Sequence, residues 1–552
     1  MPGSLALAAQ GDEAWDPGAV QHIIPTASDN RFLIKISLAG PQADAPQLRV
    51  ADRLITGVAG GSSGRFWRFD VVGLHPDTAY RLRLLDGRGK PITSGWTLRT
   101  LPSAEAEPES LRILAYTCAG GDETGRMTSG VPFFLGMNAR RALLERGLSF
   151  HPDAVIANGD HIYWDQRTSQ NKPEPIAAGA REVFGRVGSL DRSAPPLGSR
   201  NEDVLVRVGE AQVSRLYGTR LRGIPSFFLT DDHDLFENDE ADEELVTLPP
   251  DYWMLEMGRA VQLLFYPEFL PDPERPLFMP GSNSADRPPG VSEAFGTLRY
   301  GRLLEVLLYD FKRYASLGGP AARSVPELAE NWIVDRTNAD ETAWLIHAPG
   351  SPFGWTAGKY GEPYPDVLDD EGTASVERAK YGWPSGWWNQ HQRILRALGA
   401  QKNRVPILVE GDLHAIGYER ILASGDLDFR ANPIFAVLSG PLGTGAPGFP
   451  SAFRKGRAIP PTELVVDEAL PPQEKNGFTI IDVTPDEITF RFFAWRPPQP
   501  VAEIDALEPF HTLSIPRKRH RNQGGHDMRI DRPGPAWSMS KGRHAVELPE
   551  SS

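Results

Sequence analysis

"PSFFLTDDHD" (Pro225–Asp234) sets an apolar run against a burst of charge. Phe227 to Leu229 reads as a short buried strand, and Asp231, Asp232, His233 and Asp234 follow it directly, with Glu237 and Asp239 close behind. Carboxylates crowded this closely repel one another unless a positive charge lies among them. The stretch predicts a buried strand that delivers its polar end to a cation.

The same design recurs along the chain. Strand-like apolar runs appear at "LRILAY", "DAVIAN", "PSFFLT", "LLEVLLYD", "AWLIHAP", "VPILVE" and "PIFAVLSG", with helical patterns such as "PFFLGMNARRALLERG" and "NQHQRILRALGA" between several of them. A hairpin-like pair, "FTIIDVTPDEITFRFFAW", comes last. Buried strands alternating with helices predict an α/β domain. Four of the runs end in metal-competent residues: Thr117-Cys118, Gly159-Asp160-His161-Ile162-Tyr163, Asp231-Asp232-His233 and Gly411-Asp412-Leu413-His414. Open α/β sheets build their sites at the carboxyl ends of strands, and Gly159 and Gly411 are expected to let the backbone turn there. Each residue alone has an ordinary explanation: a small buried Cys118, an aspartate capping a turn, a half-buried Tyr163, a core His414. All four ends would have to be ordinary at once, so the combination predicts a metal centre.

Outside this region the rhythm differs. Residues 1–22 form a short extension. Residues 23–101 carry short, partly alternating runs ("RFLIKISLAG", "RFWRFDVV", "AYRLRLLD") separated by turn residues, which predicts a small all-β domain. Its Gly-Leu-x-Pro-x-Thr-x-Tyr pattern, Gly73 to Tyr80, resembles the end of a fibronectin type III-like sandwich. "LPSAEAEPES" (Leu101–Ser110) reads as a linker, and residues 111–515 as the α/β domain. Polar, Pro- and Gly-rich insertions near 166–205 and 270–292 read as surface loops. The tail, residues 516–552, is basic and polar and reads as a solvated segment.

The bulk properties set limits. With 552 residues, two or more domains are expected. A formal net charge of −14 argues against general nucleic-acid binding, although bound cations can reverse the field inside one pocket. No stretch approaches the roughly 20 apolar residues of a membrane span. The amino terminus lacks the flanks of a secretory signal, so the expectation is a cytoplasmic protein, or a periplasmic or secreted one if a signal has been removed. A lone cysteine, Cys118, permits no intrachain disulfide.

Taken in order, Cys118, "GDHIY", "DDHD" and "GDLH" resemble the calcineurin-like metallophosphatase superfamily, and within it the alkaline phosphatase D-like (PhoD-like) branch. The resemblance covers about 400 residues, from Leu111 to near Phe510, helped by "LYDFKRY" (Asp310, Arg313) and "YGWPSGWWNQHQRIL". Departures are Asp234 in place of the family's Glu and "TCAGG" after the first strand. What the resemblance implies is a four-layer αββα sandwich that hydrolyses phosphate mono- or diesters with a metal-activated hydroxide at a binuclear centre.

Roles follow from the resemblance and from donor chemistry. Cys118, Tyr163, His414 and Asp160 form an anionic, strongly donating set that suits a highly charged transition metal, which the resemblance implies is ferric iron. Asp232 and Asp412, sharing Asp160 as bridge, form an oxygen site that suits Ca²⁺, Mn²⁺ or Mg²⁺, of which the resemblance implies Ca²⁺. Asp231 is read as supporting the ligands from behind. His233 is implied to protonate the leaving alkoxide or bind the phosphoryl oxygens, with Asp234 orienting it. Lys359 and Arg313 are candidate phosphate contacts, and Trp383, Trp387 and Trp388 are expected to line the entrance. The expected partner is a small-molecule phosphate ester. The alternative is a catalytically silent protein of the same fold whose β-domain recruits a partner.

Overall fold

The computed structural model describes residues 15–125, 132–164, 185–235 and 250–518, except positions 360, 379, 381, 447 and 455. Most of the N-terminal extension, the first part of the 166–205 insertion, Glu237, Asp239 and the tail beyond Lys518 lie outside the described residues.

Eight strands precede the linker: β1 (Val20–Ala27), β2 (Arg31–Leu38), β3 (Gln47–Val50), β4 (Arg53–Thr56), β5 (Val58–Ala59), β6 (Phe66–Val72), β7 (Ala79–Leu85) and β8 (Trp96–Arg99). They form two antiparallel sheets, β1-β2-β6-β5 and β4-β3-β7-β8. Inward residues of both, among them Ile34, Ile36, Phe69, Leu82 and Leu98, join one apolar cluster.

A second group is β9 (Leu111–Tyr116), β10 (Ala154–Asn158), β11 (Ser226–Leu229), β12 (Phe295–Tyr300), β13 (Leu304–Tyr309), β14 (Trp344–Pro349), a small ribbon of β15 (Val367–Leu368) and β16 (Ala374–Ser375), and β17 (Ile407–Glu410). It continues with β18 (Ile416–Ser424), β19 (Leu427–Asp428), β20 (Ile434–Ser439), β21 (Leu464–Gln473), β22 (Asn476–Val483), β23 (Glu487–Trp495) and β24 (His511–Pro516). One sheet runs β11-β10-β9-β22-β23-β24; the other runs β12-β13-β14-β17-β20-β18-β19, with β21 beside β18. The pairs β9–β10–β11 and β13–β14–β17–β20 are parallel, and the β22–β23 hairpin enters antiparallel beside β9.

Side chains alternate faces along a strand, and the alternation sorts the core into layers. Ile113, Ala115, Ile156 and Leu229 of one sheet meet Val306, Ile346, Ile407 and Val409 of the other. The intervening residues of the first sheet, Leu114, Val155 and Phe228, pack under α1 (Met137–Leu148), α2 (Arg200–Gly209) and α3 (Tyr252–Phe265). Those of the second, Leu307, Leu345 and Leu408, pack under α4 (Glu327–Asn338) and α5 (Ser385–Gly399). The result is a mixed α/β fold with helices outside two facing sheets.

The N-terminal sheets are less separate than the sequence suggested. All eight residues of β2 are buried, because α3 covers the face that alternation marks as outward. Phe66 of β6 meets Phe265 of α3 edge to face at 5.1 Å. The 270–292 insertion, expected as a surface loop, is pinned by buried Arg275, which donates to the carbonyls of Leu270, Gly290 and Phe295. Among the described residues no helix is long and apolar enough to cross a membrane.

Candidate metal centre

The four strand ends named by the sequence meet where the two sheets face each other. Asn158, the last residue of β10, donates to Pro349 O and Val409 O of the opposite sheet, both at 3.1 Å. Thr117 Oγ1 donates to Asn158 O at 2.6 Å. The approach is so close that a Cβ on Gly411 would lie 2.6 Å from both Asn158 O and Thr117 Oγ1. Gly411 is therefore required by crowding rather than by a turn; Gly159, at φ +83°, is the one that needs a left-handed backbone.

Four of the expected ligands also hold left-handed backbone: Cys118 (φ 48°), Asp160 (φ 61°), Asp412 (φ 69°) and His414 (φ 51°). For residues with a Cβ this conformation is uncommon and concentrates at functional sites. It turns each side chain inward just past its strand.

Asp160 lies at the middle. Its Oδ2 accepts from Cys118 Sγ at 3.3 Å and from Tyr163 OH at 3.1 Å. Tyr163 OH is 3.1 Å from His414 Nε2, and His414 Nδ1 is 2.9 Å from Thr444 Oγ1, which fixes the ring. Donor atoms of Cys118, Asp160 and His414 lie within 4.8 Å of one another. So do those of Asp160, Asp231, Asp232 and Asp412, and those of Asp160, Asp232 and His233. Asp231, expected only to support from behind, thus offers an oxygen to the same group as Asp232. Asp160 Oδ1, Asp231 Oδ2, Asp232 Oδ1 and Asp412 Oδ2 are all buried without a hydrogen-bond partner. An orphaned buried carboxylate oxygen is costly, and four converging ones fit cations. The S, phenol and imidazole donors fit a transition metal, and the all-oxygen group a hard divalent ion.

Charge in the cluster is unevenly shared. Burial pushes the Asp160 and Asp231 carboxyls well above the usual range, with Asp232 and Asp412 adding to it. Burial acts on Asp232 too, yet Lys359, His233 and Lys312 hold it below that range. Burial also raises the Cys118 thiol, so ionising it near neutral pH requires a cation. His414 is driven down to about 3, chiefly by burial, leaving the neutral ring that binds metals.

The surrounding residues correct several expectations. Asp234 does not spend its carboxylate on orienting His233: Oδ2 accepts from the Asp160 and Asp231 amides, and Oδ1 from those of His161 and Ile162, at 2.8–3.1 Å. Arg313 is buried and its guanidinium is taken up by Asp310, Glu293 and Thr230. Lys359 reaches Asp412 Oδ1 at 2.5 Å and Asp232 Oδ2 at 3.5 Å. Trp387 is buried with its indole donating to Ser316 O, and Trp388 stacks on His391, so both belong to the helix packing. The aromatic groups at the centre are instead Phe134, 4.7 Å from the Tyr163 ring, and Phe449, 5.1 Å from the His414 ring.

Three contributors were missed. Gln212 Oε1 accepts from Gly121 N and Tyr163 N, joining the first two ligand loops; it sits in a π-helical turn, Glu210–Ser214, a feature common at functional sites. Arg140, fully buried, donates to Gly120 O and Gly121 O. Lys312 is buried and is pulled above its ordinary range by Asp231, Asp412 and Asp232 against the effect of burial. Its only sequence signal was its place beside Arg313.

No family model and no curated protein matches the chain in sequence. Among solved structures, the one titled "Structure of PhoD" aligns over 92% of this chain and 92% of its own, at TM-score 0.56 and 13% identity. A β-glucuronidase from Ruminococcus gnavus reaches only TM-score 0.18 at 10% identity, over 69% of this chain and 58% of its own. A pullulan hydrolase from Thermococcus kodakarensis reaches 0.12 at 11% identity, over 61% and 55%. The resemblance carried by Cys118, "GDHIY", "DDHD" and "GDLH" is met at the level of architecture: the chain has a PhoD-like fold.

Proposed function

We propose that the chain is a metal-dependent hydrolase of phosphate mono- or diesters. The observation that carries this reading is the convergence of four unpartnered, buried carboxylate oxygens beside Cys118, Tyr163 and His414. Fe³⁺ is assigned to Cys118, Asp160, Tyr163 and His414. Ca²⁺, or Mn²⁺ or Mg²⁺, is assigned to Asp160, Asp232 and Asp412, with Asp231 added. Bound cations supply Lewis-acid polarisation of a phosphoryl oxygen and a lowered pKa for an attacking water. His233, whose ring lies 4.0 Å from that of Tyr163 and tilted to it, is assigned to protonate the leaving alkoxide. Lys359, with an ammonium shared between Asp232 and Asp412, is the candidate for holding a phosphoryl oxygen. Asp234 acts through the amides of the Asp160 loop.

We assign residues 23–101 to a fibronectin III-like domain and 111–515 to the hydrolase domain. Support for the first is the Tyr80 hydroxyl accepting from His75 N at 2.7 Å beside Gly73 at φ +70°, a corner found in such sandwiches.

The test is elemental analysis of the purified protein with a phosphoester panel that includes bis-p-nitrophenyl phosphate. Iron and a divalent ion are expected, with a visible absorption band that Tyr163→Phe bleaches. A colourless, iron-free protein of full activity removes the iron assignment. A fully metallated protein that turns over no ester favours the silent binding protein.

A further inference from the structure

A line of buried charge leads from the metal-facing strand end into the N-terminal sheets. Thr230, immediately before Asp231, donates to Asp310 Oδ2 at 2.5 Å and accepts from Arg313 Nη2 at 3.1 Å. Arg313 pairs with Asp310 at 3.3 Å and with Glu293 at 3.4 Å. Arg287 lies between Glu293, at 3.9 Å, and Glu268, at 2.5 Å. Glu268 then meets Lys35 of β2 at 3.0 Å. None of these six charged side chains is more than 1% exposed, counting Asp310 and Arg313 at 0%. Their signs alternate: Lys35, Arg287 and Arg313 are cations, and Glu268, Glu293 and Asp310 are carboxylates. Lys35 Nζ also donates to Leu263 O of α3 at 2.9 Å, which fixes the outer end. Arg259 also holds Glu293, at 2.9 Å, and Asp286 holds Arg287, at 2.7 Å, so the line is braced along its length; in low dielectric the loss of an end member still changes the balance of charge that the remaining members share.

We infer that Lys35, in the N-terminal sheets, is a positioning residue for the Thr230–Asp232 strand end, so that this β-domain is part of the site's scaffold and not a detachable recruiting module. Its effect on cation binding rests on the metal reading above; the coupling of Lys35 to Thr230 does not.

The experiment uses the full-length protein stripped with chelator and titrated with Mn²⁺ by calorimetry. Lys35→Met is expected to weaken Mn²⁺ binding roughly tenfold or more, as for other residues that orient metal ligands, while Lys35→Arg restores it to within about threefold. The double variant Lys35→Gln/Glu268→Gln leaves no unpaired charge and guards against simple failure to fold; it should still weaken Mn²⁺ binding. Arg99→Ala, which breaks an exposed pair with Asp77 in the same domain, should change nothing. Folded Lys35 variants that bind Mn²⁺ like the parent overturn the inference. If the parent itself binds no Mn²⁺, the metal reading fails, and denaturation of the double variant combined with Thr230→Val decides the rest. A departure from multiplicative unfolding constants of roughly fivefold or more supports coupling, and simple multiplication overturns it.

Discussion

Two buried charge clusters meet at Thr230, and they obey opposite rules. On one side, Lys35 to Asp310 alternate in sign and each side chain has a partner of opposite charge. On the other, Asp160, Asp231, Asp232 and Asp412 crowd together with an orphaned oxygen each, and Lys359, His233 and Lys312 are the positive groups that act on Asp232. A matched cluster holds position. An unmatched one stores unfavourable free energy that a bound cation relieves, and proteins retain such arrangements at sites of function. The contrast locates the site without reference to any relative.

The most severe way to break the unmatched cluster is Asp160→Asn. Asn tolerates the left-handed backbone of Asp160, so the fold should survive, but the charge shared by both ligand groups is gone. We expect kcat/KM on an activated phosphodiester to fall by about 10³ or more, some 4 kcal/mol of barrier, together with lost metal. Retained activity with retained metal would remove Asp160 from the centre. In the matched cluster the next largest effect is on stability. Arg313→Met leaves the buried Asp310 without its cation, while Glu293 keeps Arg259, and a loss of about 3–5 kcal/mol is expected from denaturant midpoints. A change below 1 kcal/mol would mean that this line of charge is not holding the structure.

The two clusters also differed in how far the sequence announced them. The unmatched one was legible because its members sit at the ends of apolar runs: "LRILAY" is β9 residue for residue, and Cys118 follows it by two positions. Local pattern is enough when a strand supplies both the burial and the ligand. Roles were harder. Asp234 read as a partner of His233 because they are neighbours in sequence, while its amide partners at 160–162 lie some seventy positions earlier. Of the matched cluster the sequence marked only Asp310 and Arg313, in "LYDFKRY", and did not mark them as parts of a line of charge. Lys35 occupies an outward position in "RFLIKISL", and only the covering helix α3 makes that face interior. Its partner, Glu268, is 233 residues away, and no periodicity encodes a contact of that range.

Gly159→Ala probes how tightly the unmatched cluster is built. The added Cβ would sit 2.6 Å from Asp231 Cβ, on a backbone at φ +83°. Strain at such a position costs about 1–3 kcal/mol, and relieving it must move Asp231. A drop in thermal midpoint together with weaker divalent-cation binding is the expected pair of results. A drop in stability alone would show that Asp231 does not matter to the cation.

The smallest effect is the sharpest in sign. Asp231→Asn removes one member of a like-charged group and keeps its shape, including the close approach of Asp231 to Gly159 and Gly350. Burial with Asp232 and Asp412 already pushes the Asp231 carboxyl well above its usual range, so part of the repulsion is relieved by protonation. The remaining gain on substitution is about 1 kcal/mol in the metal-free protein. Stability should therefore rise where Arg313→Met makes it fall, although both changes delete one buried charge. Divalent-cation affinity should move the other way and weaken. Chemical denaturation in chelator, with and without added Mn²⁺, measures both quantities in one series. Were Asp231→Asn to destabilise the metal-free protein as Arg313→Met does, the carboxylates at the centre would be balanced by the protein's own lysines, and the distinction between the two clusters would fail.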